Sequence, residues 1–258
     1  MPEANARRMA ILELVADQRV VRVAELSRRF GVSEVSIRRD LAWLREYGLL
    51  RRVQGGAVSG DERAFEPPYQ DRLKLHLEEK QRIGQAAAAL VRPGERVIFD
   101  SGTTVLEIAR ALAISSRERG QITAITASLP SAVALAHARL MHLIMLGGIF
   151  QPESETFVGP QTLSNLDGLH ADRLFLGADG LSLDDGLASA NVLEAEVSRA
   201  MVRAAREVVI VADASKINRV GLAAIMPLER ASRLVTDNSA PAEFIAALRA
   251  RGVEVTLA

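Results

Sequence analysis

Residues 31–41 read GVSEVSIRRDL, and the reading of this stretch decides what the front of the chain is. Gly31 can take the left-handed backbone that ends one helix, and Ser33 can cap the next by accepting an amide hydrogen bond from its first turn. On a helix starting near Ser33, Ile37, Leu41 and Leu44 fall on one stripe. Val35, Ser36, Arg38, Arg39 and Ala42 are left on the other faces, so two adjacent arginines stand on the open side of the early turns. Helix N-termini carry partial positive charge, and an arginine fork placed there fits a guanine edge in the major groove or clamps a phosphate.

Upstream, ARRMAILELVADQ places Met9, Leu12, Val15 and Ala16 at helical spacing, and RVAELSRRF does the same with Val23, Leu26 and Phe30. Downstream of Gly48, LLRRVQGGAV has two short strand-like arms about Gly55 and Gly56, a hairpin tip that needs positive backbone angles. Three helices and a hairpin predict a winged helix-turn-helix domain over residues 1–59, with duplex DNA as its partner. Ser33, Ser36, Arg38 and Arg39 would lie at the groove. Arg51, Arg52 and Gln54 on the wing would lie near the sugar-phosphate backbone, where cationic contacts give affinity that falls as salt rises.

The whole chain supports the division. Its 258 residues suffice for two domains, and 48% hydrophobic with 25% charged residues is ordinary for a globular protein. The 32 basic and 32 acidic residues balance overall, yet residues 1–60 hold eleven arginines against seven acids, and the remainder holds 21 basic residues against 25 acids. A polyanion would be met by the front. No apolar run has the length of a membrane span and MPEANARRMA lacks a secretory segment, so a cytoplasmic protein without a membrane partner is expected. Cysteine is absent, which excludes disulfides and thiolate chemistry. His76, His137, His142 and His170 show no paired ligand spacing. No Walker loop, dinucleotide glycine fingerprint or nucleophile elbow occurs either, so neither a metal nor a cofactor is expected.

Residues 60–77, GDERAFEPPYQDRLKLHL, are charged and carry Pro67 and Pro68, which predicts a linker. From 78 to 258, apolar runs such as RVIFD, ITAIT, HLIML, RLFLGAD and EVVIVAD alternate with helical patterns. That rhythm predicts an α/β domain with a mostly parallel sheet, which takes ligands at the carboxyl ends of its strands. Polar residues collect there. RVIFD runs straight into Ser101, Gly102, Thr103 and Thr104, a turn and helix start suited to a phosphate. Thr126 and Ser128, Gly147 and Gly148, and Lys216 follow other strands. Lys216 would neutralise a phosphate, and Asp100, Asp179 and Glu194 would accept hydrogen bonds from sugar hydroxyls.

The run ILELVADQRVVRVAELSRRFGVSEVSIRRDLAWLREYGLLRRVQGGAV resembles the N-terminal domain of the DeoR family of bacterial transcription regulators, with Ser36 where a threonine is usual and Gln54 where a histidine is usual. The larger part resembles that family's effector-sensing domain through Glu79 and Lys80, DSGTT from Asp100, TASL from Thr126, LGG from Leu146, GADGL from Gly177, Glu194, and DASK from Asp213. The resemblance implies a fold akin to ribose-5-phosphate isomerase and a phosphorylated sugar or related metabolite as effector. Ala127 and Ser198 stand where asparagine and lysine are frequent.

Two classes of function follow. An isomerase-like enzyme with an accessory DNA-binding domain would use Asp179 to abstract a proton next to a carbonyl. LSLDDGLASAN, the stretch after that turn, has no lysine, whereas the isomerases it resembles carry one there. The reading favoured is a non-enzymatic repressor of carbohydrate genes, released or engaged by a sugar phosphate. It would act as a dimer or tetramer, because one winged helix makes a small interface and tight operators pair half-sites.

Overall fold

The computed structural model describes residues 7, 8, 10–12, 14, 15, 20–46, 50–53, 55–59, 69–119, 121–136, 138 and 141–258. The chain forms two compact units, Met1–Pro67 and Pro68–Ala258.

In the first unit, residues 7, 8, 10–12, 14 and 15 are helical and bury Ile11 and Val15. β1 (Val20–Arg22) leads into α1 (Val23–Phe30), which ends where Gly31, at φ 61°, donates its amide to the Ser27 carbonyl. α2 (Glu34–Glu46) starts under the expected cap, with the Ser36 amide donating to Ser33 Oγ at 3.2 Å. Such a cap stabilises a helix by about 1 kcal/mol. Ile37, Leu41 and Leu44 are buried against Ile11, Val15, Val21 and Leu26. Each such side chain contributes about 2 kcal/mol relative to exposure, so the stripe outweighs the cap in holding α2.

The wing is β2 (Leu50–Val53) against β3 (Gly56–Ser59), antiparallel about Gly55 at φ 80°. β1 pairs with the other edge of β3, giving the order β1-β3-β2. A Cβ on Gly56 would come within 2.0 Å of the Val21 carbonyl oxygen, so this crossing admits only glycine. The RRD triplet divides by charge. Arg38 and Arg39 are exposed, whereas Asp40 is buried and accepts from Arg7 Nε at 2.7 Å and Arg8 Nε at 2.9 Å. The Arg8 guanidinium also lies 4.4 Å from the Trp43 ring centroid. Asp40 thus ties the first helical stretch to α2.

The second unit opens with α3 (Tyr69–Arg72) and α4 (Leu77–Ala88). Tyr69 is buried, and its amide donates to the Glu153 carbonyl at 3.3 Å. The linker expected over 60–77 therefore differs from the structure at its far end: residues 69–77 fold as part of this unit because an apolar ring anchors them. Its nearer part, 60–68, lies outside the described residues.

β4 (Arg96–Phe99), α5 (Thr103–Arg119), β5 (Ile122–Thr126), α6 (Leu129–Ala136) and β6 (Met141–Met145) follow. Next come a hairpin of β7 (Ile149–Gln151) and β8 (Thr156–Val158), α7 (Pro160–Leu166) and β9 (Ala171–Leu176). β10 (Gly180–Ser182), β11 (Gly186–Ser189), α8 (Val192–Ala204), β12 (Ala205–Val211), β13 (Ala223–Met226), β14 (Arg233–Thr236), α9 (Ala242–Ala250) and β15 (Glu254–Leu257) complete the chain. Seven strands make one sheet, ordered β15-β14-β12-β9-β4-β5-β6, with every pairing parallel. β10, β11 and β13 form a small antiparallel sheet of their own.

Parallel crossovers are right-handed, so the direction of travel along the sheet decides the face each helix covers. The chain moves one way from β4 to β6 and the other way from β9 to β15. Accordingly α4, α5 and α6 cover Val97, Phe99, Ala124, Phe175, Val209 and Val211 on one face. α7, α8 and α9 cover Ile98, Ile125, Leu174, Leu176, Val208 and Ile210 on the other. Burial of alternate residues on both faces is why the strands read as unbroken apolar runs.

Removing Asp40 leaves two arginines part-buried without their acid. Asp40→Ala should destabilise the first unit by about 3 kcal/mol in urea denaturation followed by Trp43 fluorescence, a probe unique in this chain. A loss below about 1 kcal/mol would show that the clamp is ornamental.

Candidate functional site

In the first unit the exposed face of α2 is the candidate contact surface. Ser33 and Ser36 are already joined, their hydroxyls 3.0 Å apart, so both serve the cap. Arg38 donates to Glu34 Oε2 at 2.7 Å across one turn, an exposed pair that contributes little and is easily exchanged for a phosphate. Arg39 is exposed and makes no hydrogen bond or ion pair among the described residues. The backbones of Arg51 and Arg52 lie in β2, paired with Val58 and Ala57. Gln54 lies outside the described residues.

In the second unit the direction in which the chain travels along the sheet reverses between β4 and β9, the kind of switch point at which open parallel sheets take ligands. Asp100 follows β4 at this point. Its Oδ2 accepts from the Gly177 amide at 3.3 Å, and Oδ1 faces the Ser198 hydroxyl at 3.4 Å. Gly177 is close to the turn after β4: a Cβ there would stand 2.9 Å from the Ser101 carbonyl oxygen. Burial pushes the Asp100 carboxyl up to about 7, and the nearby Glu194 charge adds to this against the amides of Ser101 and Gly177 and the Ser198 hydroxyl. Near neutrality this group both donates and accepts hydrogen bonds, as a sugar hydroxyl does.

Beside Asp100, Gly102 at φ 110° turns the chain into α5, with Thr103 and Thr104 buried in its first turn. A seventeen-residue helix therefore begins beside Asp100 at the switch point. On the β9 side, Asp179 Oδ2 accepts from Ser189 Oγ at 2.9 Å and from the Ala190 amide at 2.8 Å. Asn191 caps α8 by accepting from the Leu193 and Glu194 amides, which sets Glu194 at the head of that helix.

The remaining expected residues occupy the same edge but serve its turns. Thr126 and Ser128 are wholly buried: Thr126 Oγ1 accepts from the Ser128 amide at 3.0 Å, and Ser128 Oγ from the Ser131 amide at 3.4 Å. The Gly147 carbonyl accepts from Thr162 Oγ1 at 3.0 Å and Asn165 Nδ2 at 3.3 Å, and Gly148 lies close against the Thr162 hydroxyl. Lys216 ends a short 3-10 turn, Ala214–Lys216, held by Asp213 and by the Asp237 carboxylate, whose Oδ2 accepts from the Ala214 amide at 2.7 Å. From β12 to β6 is four strand spacings, roughly 19 Å. The expected residues are therefore spread along the edge, and Asp100, Gly102 and Asp179 are the ones placed at the switch between β4 and β9. Ser198, noted in the sequence only as a departure, and Gly177 both contact Asp100 there, and Asn191, whose cap sets Glu194, carries no signal in the sequence. No group of three or more metal-ligating side chains occurs among the described residues, and no helix there is long and apolar enough to cross a membrane.

Two family models match the chain: the DeoR-like helix-turn-helix domain over residues 7–63 and the DeoR C terminal sensor domain over residues 75–238. An Escherichia coli O157:H7 protein bearing the name of an aga operon transcriptional repressor is 38% identical over 98% of this chain and 93% of its own. The transcriptional repressor AccR of Agrobacterium fabrum is 32% identical over 90% of this chain and 89% of its own. The HTH-type transcriptional repressor GlcR of Bacillus subtilis is 30% identical over 96% and 94%. Among solved structures, a ribose 5-phosphate isomerase from Methanocaldococcus jannaschii aligns with 55% of each chain at 19% identity and a TM-score of 0.41.

Asp100 sets a pH dependence. Its carboxyl is raised from 3.8 to about 7 in the fold, so the folded chain keeps a proton that the unfolded chain releases. That contribution is complete below about 4 and is lost as pH rises through about 7. Asp100→Asn keeps the shape without the titration. Its stability relative to the parent should therefore climb between pH 4 and 7, by up to about 1.4 kcal/mol per pH unit in parallel urea melts. An offset constant with pH would remove the raised carboxyl.

Proposed function

Because the chain belongs to the DeoR family of transcription regulators, we propose that it represses carbohydrate-metabolism genes by gripping operator DNA with α2 and the wing, under the control of a phosphorylated sugar bound beside Asp100. The observation that carries this reading is the pairing of two unlike surfaces on one chain. Exposed arginines stand on a capped helix in the first unit. In the second, a helix amino end and a neutral-range carboxyl lie together at the switch point of a parallel sheet. The phosphate of the effector would take the Ser101–Thr104 turn and the amino end of α5. Its hydroxyls would take Asp100 and Glu194, with Lys216 supplying a cation.

Recognition of base edges falls to Arg39, with Arg38 exchanging Glu34 for a phosphate. A single head buries too little for tight specific binding, so two copies would place two recognition helices on paired half-sites. Coupling asks only that the effector favour one arrangement of the chain by about 1 to 3 kcal/mol. The isomerase reading is less favoured because the Asp179 carboxylate is engaged by Ser189 and Ala190, and residues 181–191 hold no lysine to steady an enediolate.

Arg39→Ala should weaken operator binding by about 1 to 3 kcal/mol in fluorescence anisotropy while leaving sugar-phosphate binding intact; unchanged operator affinity would take α2 out of the groove. Lys216→Ala should do the reverse, sparing operator binding and abolishing the effector response. The proposal as a whole is tested by a thermal-shift screen of phosphorylated sugars, in which a true effector raises the melting temperature with its occupancy. A screen without any shift, or turnover of a sugar phosphate, would contradict it.

A further inference from the structure

One segment, residues 153–157, joins the loop after β5 to the start of the second unit. Toward that loop, the Leu129 amide donates to the Glu155 carbonyl at 3.0 Å, and the Phe157 amide to the Ala127 carbonyl at 2.9 Å. Thr156 Oγ1 also donates to the Ala127 carbonyl at 3.1 Å, and Ser128 bridges Thr156. Toward the chain's earlier residues, the Tyr69 amide donates to the Glu153 carbonyl at 3.3 Å, and Gln70 Nε2 to Glu155 Oε1 at 2.6 Å. The Tyr69 ring is buried, with the Arg72 guanidinium 5.6 Å from its centroid. The Arg72 carbonyl in turn accepts from the buried Lys80 ammonium at 2.7 Å, which fastens α3 to α4.

These contacts make one block of three pieces: residues 126–131, residues 153–157 and residues 69–80. A block packed in this way transmits a displacement of one piece to the others. Tyr69 is the second residue of its unit, directly after the point where the first unit ends.

We propose that Tyr69 and Gln70 are positioning residues of a relay, through which the docking of α3 sets segment 153–157 and thereby the order of the loop at residues 126–131. Tightening of the 126–131 loop favours the docked arrangement of α3, and by linkage the docking of α3 tightens the loop.

The test is amide hydrogen exchange on the full, ligand-free chain. Tyr69→Ala should speed exchange of the Leu129 and Phe157 amides by about tenfold or more, while the central strand amides at Val209, Ile210 and Val211 keep parental rates. Gln70→Ala alters an exposed side chain that the fold does not need, and should speed the same two amides by a few-fold even if Tyr69→Ala unfolds the unit. Reciprocally, Ser128→Ala should speed the Tyr69 and Leu73 amides. A merely local role would move only residues 69–80. If the faster exchange in both Tyr69→Ala and Gln70→Ala stops there, with residues 127–131 and 155–157 at parental rates, the relay does not exist. None of these rates involves sugar or DNA, so the relay is tested even in a protein that binds no sugar phosphate.

Discussion

Everything in the second unit follows from a constraint of handedness. Parallel strands joined by right-handed crossovers must place their helices on one face when the chain runs one way along the sheet and on the opposite face when it runs back. This chain runs outward from β4 and, later, outward from β9, and those two strands are neighbours. The ends of those two strands are therefore the switch point of the sheet, where Asp100, directly after β4, accepts from the Gly177 amide after β9. The burial that makes the sheet stable is the burial that keeps its carboxyl from ionising in the ordinary carboxylate range.

The first unit solves a different problem with few residues. Too small to hold three helices by apolar contact alone, it adds a charge clamp in which Asp40 takes two arginine donors while its neighbours Arg38 and Arg39 face outward. One tripeptide thus supplies both the internal fastening and the exposed cations. Because α2 is fixed by its stripe, its cap and its acid, the arginine at 39 is presented on a rigid element, the condition under which a recognition side chain keeps its aim.

Much of this was legible in the sequence because the signals are local. Gly31, Ser33 and the spacing of Ile37, Leu41 and Leu44 announce the turn and the third helix within a short stretch, and two-sided burial writes the central strands as apolar runs. What the sequence concealed depends on distance or brevity. The partners of Asp40 lie more than thirty residues away, and nothing in the amphipathic pattern marks an acid as internal. β1 and the strands of the small sheets in the second unit are three or four residues long, too short for a period to register. Thr126 and Ser128 carry the right chemistry for a ligand, but their burial in a turn of their own is a tertiary fact. The far end of the expected linker went the same way, since Tyr69 reads as an isolated aromatic until the surface it packs on is known.

Control by a small anion requires that the switch point between β4 and β9 be the place where that anion binds. Amide chemical-shift mapping of the full chain, titrated with the phosphorylated sugar that raises its melting temperature most, addresses this directly. The largest changes should fall on Ser101 to Thr104 and on Gly177, at the amino end of α5 and across from it. Changes centred at the opposite end of the sheet, around Arg233 and Glu254, with the Ser101 to Thr104 amides unmoved, would contradict an anion site at the switch point.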